Sequence, residues 1–177
     1  MLSGLVLAGG RSRRMGQDKA LMPYHGHSLM EHAASLLKQA GCRQVLISRN
    51  QPGYLNDILP DNGPLGGVHA ALNALNTGDE LLVVPVDMPK LSVIFLQSLV
   101  NSGREQNQAV TVRHRHLPFY LPVTTHTHTM LHQLLTERQE RKVVRFLDAL
   151  NALEFTGHTD DSIWLNVNTP DDWPDEF

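Results

Sequence analysis

A single cysteine, Cys42, excludes any disulfide within the chain and fits a reducing compartment. Positive charge is not in excess either. Fifteen Lys and Arg stand against 18 Asp and Glu, leaving a net charge of -3 and an isoelectric point near 6.3. That balance does not encode the broad basic surface of sequence-independent nucleic-acid binding. Long apolar runs are also missing. The opening run Leu5-Val6-Leu7-Ala8 is too short for a signal-peptide core or a membrane span, and no basic segment precedes it. A soluble, cytoplasmic protein with neither a nucleic-acid nor a membrane partner is expected. What is there is 177 residues, 41% of them hydrophobic, which is enough to fill one core; a single domain spanning 1–177 follows. Cys42 reads as a small packing residue at the end of a helix.

Three short apolar runs, Leu5 to Leu7, Val45 to Ile47 and Leu81 to Val84, are bounded by Gly, Asp or Pro, the pattern of buried strands in a parallel sheet. Helical patterns lie between them. Ser28 to Gln39 sets Leu29, Ala33, Leu36 and Leu37 on one face with Gly41 as its C-cap; Leu65 to Leu75 and Ser92 to Val100 read similarly, the latter with Ser92 as N-cap. Strand-helix alternation predicts an α/β fold, a three-layer αβα sandwich around a mostly parallel sheet. Beyond residue 105, Ala109 to Val112 and Phe119 to Leu121 read as a hairpin, followed by helices over Thr127 to Leu135 and Val143 to Leu150. A last strand is expected at Ile163 to Leu165, and a short helix in the Asp-rich tail after Thr169-Pro170.

The most informative segment runs from Leu7 through Ala8, Gly9 and Gly10 to Arg14, Gly16, Asp18 and Lys19, directly after a buried strand. Glycines let backbone N–H groups approach phosphate oxygens, while Arg14 and Lys19 supply charge against a triphosphate. No Gly-Lys-Ser/Thr follows, so this is not a Walker A loop, and the glycine spacing is not that of a dinucleotide fingerprint. Asp87, just past the run Leu81 to Val84, stands at a strand carboxyl end, where open α/β sheets bind ligands and where a carboxylate suits Mg2+.

The string Leu-Ala-Gly-Gly-x-Ser-x-Arg-Met-Gly-x-Asp-Lys resembles the signature of the molybdenum cofactor guanylyltransferase (MobA) family of nucleotidyltransferases. Gly63-Pro64-Leu65-Gly66-Gly67, Val84-Pro85-Val86-Asp87-Met88-Pro89 and Asn166-Val167-Asn168-Thr169-Pro170 resemble the same family in the same order, as does Arg141 to Leu150 more loosely. The resemblance runs from residue 4 to about 172 and implies a Rossmann-like fold with GTP as donor and molybdopterin as acceptor. The products implied are molybdopterin guanine dinucleotide and pyrophosphate, with molybdoenzymes or their chaperones as onward partners.

Carried onto this chain, the resemblance implies catalytic roles for Arg14, Lys19 and Asp87, with Asp87 as the Mg2+ ligand. Leu7, Ala8, Gly9, Gly10, Lys19, Ser48, Asp61, Gly63, Leu65 and Asp87 are the implied nucleotide contacts, Asn50 is a further candidate, and Asn166 and Asn168 face the acceptor. Only Asn62 separates Asp61 from Gly63, a shorter interval than relatives keep between their nucleotide-binding Asp and the Gly-Pro-Leu element, and Ser48 stands where relatives often carry Asn. Two other readings stay open: a cytidylyltransferase acting on molybdopterin or on a sugar or polyol phosphate, and a non-catalytic nucleotide- or cofactor-binding accessory protein. Arg113, His114, Arg115 and His116 suggest a basic acceptor-side surface. His126, His128 and His132 have no carboxylate or Cys partner at metal-ligand spacing and read as solvated. Asp18 and Lys19 can be read as a surface pair, and Trp164 and Trp173 as packing residues.

Overall fold

The computed structural model describes residues 1–9, 18–157 and 159–164. Eight strands and five helices follow one another as β1 (Leu2–Leu7), β2 (Pro23–Tyr24), β3 (His27–Ser28), α1 (Leu29–Gln39), β4 (Gln44–Ser48), α2 (Pro64–Ala74), β5 (Glu80–Pro85), α3 (Val93–Gln106), β6 (Val110–Thr111), β7 (Phe119–Pro122), α4 (Thr125–Thr136), α5 (Val143–Ala149) and β8 (Leu153–Glu154). Six strands form one sheet in the order β4-β1-β5-β7-β6-β8. β1 pairs in parallel with both β4 and β5, β6 pairs in parallel with β8, and β7 runs against its two neighbours. β2 and β3 make a small hairpin apart from this sheet.

Period-two alternation along the central strands divides the core. Val6, Leu82 and Val84 pack with α1 and α3 on one face, and Leu5, Leu81 and Val83 pack with α2, α4 and α5 on the other. This is the three-layer sandwich expected from the alternation. α1 is started by a capping box: the Ser28 N–H donates to Glu31 Oε2 (3.1 Å) and the Glu31 N–H to Ser28 Oγ (3.1 Å). Its fully buried Leu29 and Leu37 are each worth roughly 1.5–3 kcal/mol of burial. The helix lies so close to β1 that a methyl group at Gly4 would stand 2.8 Å from Leu37 Cδ1. Its cap is Ala40, and Gly41 follows at φ 110° while the Cys42 N–H reaches back to Leu37 O (3.0 Å). Cys42 is buried in the core beside it. At α3, Ser92 caps as expected, its hydroxyl accepting from the Phe95 N–H (3.1 Å).

One expectation fails at the C-terminal end. Ile163 and Trp164 lie in a 3₁₀ turn over Asp161–Trp164, not in a strand. Asp160 explains it: its side chain accepts from the Ser162 N–H (3.0 Å) and its carbonyl from the Ile163 N–H (3.2 Å), so local bonds outcompete a sheet ladder. Both side chains are still buried, Trp164 edge-on to Phe95 with ring centroids 5.1 Å apart. The sheet edge is taken instead by β8, two residues too short to register as a run of alternating hydrophobicity. The proposed tail helix, Trp173 and Leu165 lie outside the described residues. Among those described, no helix is long and apolar enough to cross a membrane.

Two of the histidines of α4, His128 and His132, are not simply solvated. His69 of α2 is buried, its Nε2 lies 3.0 Å from His132 Nδ1, and the His69 ring stacks at 5.3 Å on His132 and 6.1 Å on His128. His128 Nε2 donates to Asn73 Oδ1 (3.0 Å), and Asn73 Nδ2 to the His69 carbonyl (2.8 Å). Burial, then the neighbouring His132 and His128, lower the His69 pKa below its ordinary 6.5, with Asp57 opposing. The unfolded chain therefore takes this proton first. The stability contributed by a neutral His69 is complete above about pH 6.5 and is lost as the pH falls below it. We expect thermal unfolding of His69→Leu, followed by circular dichroism, to show a flatter loss of Tm below about pH 6.5 than the unaltered chain. Identical acid limbs would show that this imidazole does not set them.

Candidate active site

The parallel register aligns three carboxyl ends: Leu7 of β1 stands opposite Ser48 of β4 and Pro85 of β5. An open cleft of about 1120 Å³ lies beyond these ends. Chain segments leaving each strand form its floor, namely Ala8 and Gly9 after β1, Arg49 to Gln51 after β4 and Val86 to Met88 after β5. Open α/β sheets bind ligands at this location. The Ala8 N–H donates to Ser48 O (2.9 Å), extending the β1–β4 ladder into the start of the glycine loop. Among the described residues, a methyl group at Gly9 would meet nothing closer than Ser48 O at 3.8 Å. Packing against those residues does not demand glycine there, which suits close approach of a ligand. Gly10 and Arg14 lie outside the described residues, as do Asn166 and Asn168.

Asp18 caps the 3₁₀ turn Lys19–Leu21 by accepting from the Ala20 N–H (3.1 Å). Lys19 opens that turn. Its Nζ faces Asp87 Oδ2 at 3.8 Å, with the two side chains only 19% and 28% exposed. Burial pushes the Asp87 carboxyl above the ordinary aspartate range, with Lys19 and a backbone hydrogen bond pulling the other way. A desolvated carboxylate with one distant ammonium gains from a further cation. Among the described residues no three His, Cys, Asp or Glu side chains converge on a metal position. Asp87 thus fits the Mg2+ pattern of one or two protein carboxylates completed by phosphate oxygens and water.

The Gly-Pro-Leu-Gly-Gly element leads into the helix expected from Leu65 onward. Only Gly63 is a turn residue (φ 57°, ψ -144°); Pro64 takes the first position of α2, and Leu65, Gly66 and Gly67 are helical and buried. Leu65 is fully buried among Val68, Leu72 and the β1 and β5 side chains, so its side chain does not line the cleft. A contact from Leu65 to a ligand would have to be made by its backbone. Gly66 and Gly67 serve packing. A methyl at Gly67 would lie 2.3 Å from Ser48 Oγ, and one at Gly66 2.8 Å from Asp57 Oδ2.

That last contact exposes a residue the sequence reading passed over. Asp57 lines the cleft against the first turn of α2, its N–H donating to Asn50 Oδ1 (2.8 Å) and its Oδ2 accepting from Asn50 Nδ2 (3.3 Å). Five residues separate it from Gly63, the longer interval that Asp61 lacks. Asp61 also borders the cleft, but it is exposed, left-handed (φ 62°) and tied through its carbonyl to Arg141 (3.0 Å). Ser48 is buried at the cleft floor. Arg49, likewise passed over, is buried beside it and donates both Nη groups to the Asp18 carboxylate. Both omissions sit in segments with obvious polar residues after a strand, where position relative to the strand end was the available signal. At the opposite end lie Leu117 and Arg115, whose guanidinium rests 4.7 Å from the Trp164 ring centre.

Residues 4–153 match the family described as the MobA-like NTP transferase domain. A molybdenum cofactor guanylyltransferase of Xanthomonas euvesicatoria pv. vesicatoria is 38% identical over 175 residues, 97% of this chain and 92% of the relative. Among solved structures, molybdopterin-guanine dinucleotide biosynthesis protein A of Archaeoglobus fulgidus superposes with a TM-score of 0.76 at 22% identity, covering 96% and 94% of the two chains. A Mycobacterium tuberculosis protein solved in complex with manganese superposes at 0.66 and 18% identity, covering 97% and 95%. By its sequence over nearly its whole length, the chain belongs to the MobA-like NTP transferase family.

Proposed function

We propose that this enzyme, a nucleotidyltransferase, transfers GMP from GTP to molybdopterin with release of pyrophosphate, Mg2+ being held by Asp87. The observation that carries the reading is the Lys19–Asp87 pair at the aligned carboxyl ends of β1, β4 and β5. An ionised phosphate oxygen of the acceptor attacks the α-phosphorus in line; the new P–O bond forms as the bond to pyrophosphate breaks. No general base is needed, since the attacking oxygen already carries its charge. Positioning and charge stabilisation are then the protein's work.

The charges lining the cleft support this assignment. Asp18, Asp57, Asp61 and Asp87 face Lys19, Arg49 and Arg115 across the described part of the cleft. A triphosphate therefore needs more positive charge than these side chains offer, and Arg14 and Mg2+ are the candidates to add it. A bound Mg2+ supplies neutralisation of the α-phosphate and pyrophosphate oxygens. Lys19 offsets charge on the departing pyrophosphate, the Leu7 to Gly10 backbone holds phosphate oxygens, and Asp57, Asp61 and Ser48 lie where the nucleoside would be read. Asn166 and Asn168 are assigned to the acceptor side, together with Arg115. Action in the cytoplasm, with product passing to molybdoenzymes or their chaperones, completes the reading.

The reading is tested by incubating the protein with Mg2+, molybdopterin and each labelled triphosphate in turn and resolving the dinucleotide formed. Asp87→Ala should retain the fold by circular dichroism and lose turnover by on the order of 10²-fold or more, most severely at limiting Mg2+. A near-unaltered rate under those conditions would remove Asp87 from the metal site. Calorimetric titration in the presence of Mg2+ should find GTP bound at least tenfold more tightly than CTP or ATP, about 1.4 kcal/mol. A site built to pair guanine N1–H, N2–H and O6 leaves polar groups unmatched around the other bases. Equal or tighter CTP binding would replace guanine with cytosine while leaving the phosphate and metal assignments standing.

A further inference from the structure

Arg49 follows the last residue of β4 and is only 4% exposed. A buried guanidinium is costly unless its charge is met, and breaking such a pair is more costly still. Here Nη1 donates to Asp18 Oδ1 (3.2 Å) and Nη2 to Asp18 Oδ2, a two-point fork, while the Tyr54 ring lies beneath at 5.7 Å. Among the described residues the buried Nε has no hydrogen-bond partner, so what holds the arginine there is the fork. Its base is rigid. The Arg49 N–H donates to Leu55 O (3.0 Å) beside the Ser48–Leu55 bridge, and Ser48 is locked to β1 through Ala8.

Asp18 passes this rigidity on. The same Oδ1 that accepts from Arg49 also caps the following turn through the Ala20 N–H, fixing both ends of its carboxylate. The next residue, Lys19, projects its ammonium toward Asp87 across the cleft. Among the described residues, removing the fork would leave the Asp18 carboxylate hydrogen-bonded only to its own turn. That turn follows directly on the segment joining it to the glycine loop, so nothing on β4 would then hold it in register with β5.

We infer that Arg49 is a positioning residue: its fork on Asp18 fixes the turn that aims Lys19 at the Asp87 side of the cleft. This rests on the nucleotidyl-transfer reading for its consequence, although the contacts are independent of it. Arg49 acts on the reaction through Lys19 and need not touch the nucleotide, since both Nη groups are engaged by Asp18.

A double-mutant cycle separates this from a merely structural ion pair. Arg49→Met, Lys19→Ala and the double variant are compared by kcat, KM for GTP, calorimetric Mg2+–GTP affinity and Tm. Arg49→Met should lower kcat by on the order of 10- to 10²-fold, approaching Lys19→Ala. In the Lys19→Ala background the same change should cost less than about threefold, although the fall in Tm is the same in both backgrounds. Arg49→Lys should not restore the rate, because an ammonium cannot form the fork. Should Arg49→Met fail to fold, Asp18→Asn, which keeps the Ala20 cap and weakens the fork, is carried through the same cycle. An equal factor in both backgrounds, or an unchanged kcat in Arg49→Met, overturns the inference. Absence of turnover in the unaltered protein would instead sink the transfer reading, and the cycle is then judged on Mg2+–GTP affinity by the same non-additivity.

Discussion

The constraint on which the rest depends is the double parallel pairing of β1. Its residues are matched one for one with β4 on one side and β5 on the other, so that Leu7, Ser48 and Pro85 end in one row. Side chains alternate with a period of two, and a slip of one residue on either side would exchange the two apolar faces at once. Val6 and Val84 belong to the face covered by α1 and α3, Leu5 and Val83 to the face covered by α2, α4 and α5, and both sets are fully or almost fully buried. Register is thus held by two cores simultaneously. The row of strand ends inherits that precision, which is why segments from three separate stretches of sequence can meet in one cleft.

Helices approach this sheet closely at several glycines. Gly4 admits Leu37 of α1, Gly67 admits Ser48 and Leu7, and Gly103 of α3 lies so near Tyr120 that a methyl would stand 2.1 Å from its ring. Tyr120 in turn donates to Glu80 (2.6 Å), which also accepts two bonds from Arg104, and the pairing holds the Glu80 carboxyl below its ordinary range. These contacts tie α3 to the start of β5, at the end of the sheet remote from the cleft. The molecule is braced at one end and left open at the other. Local stability of this kind is unevenly distributed by necessity, because a binding face must retain unsatisfied groups.

The sequence carried the central sheet because its strands are continuous apolar runs closed by Gly, Asp or Pro, and it carried the helices because their caps are spelled in side chains such as Ser28 and Ser92. Two-residue β8 left no such trace, and Ile163 and Trp164 looked like a strand because burial alone does not distinguish a ladder from a turn held by Asp160. At the site, Lys19, Asp87, Gly9 and Ser48 were legible from their place beside strand ends. The burial of the Leu65 side chain was not legible, because a motif records which residues recur near a ligand without saying which side chains are there to pack a helix. Asp57 and Arg49 were hidden for the opposite reason. Their importance lies in partners distant in sequence, Gly66 of α2 and Asp18 beyond the glycine loop, and no local pattern announces such a partner. The same holds for His69, whose ring meets His132 from another helix.

The reversed direction of β7 has one more consequence. Because it runs against β5, its first residues arrive at the same end of the sheet as the carboxyl ends of β4, β1 and β5, and the hairpin connection carrying Arg115 and Leu117 is delivered to the cleft from the far side. One wall of the cleft therefore hangs on a single connection between two strands, while the opposite wall is woven into the sheet itself. Evolution can lengthen, shorten or replace that connection without disturbing the register of β1. A scaffold arranged in this way can keep one substrate and exchange the other, so that new specificities arise by grafting a loop rather than by rebuilding a fold.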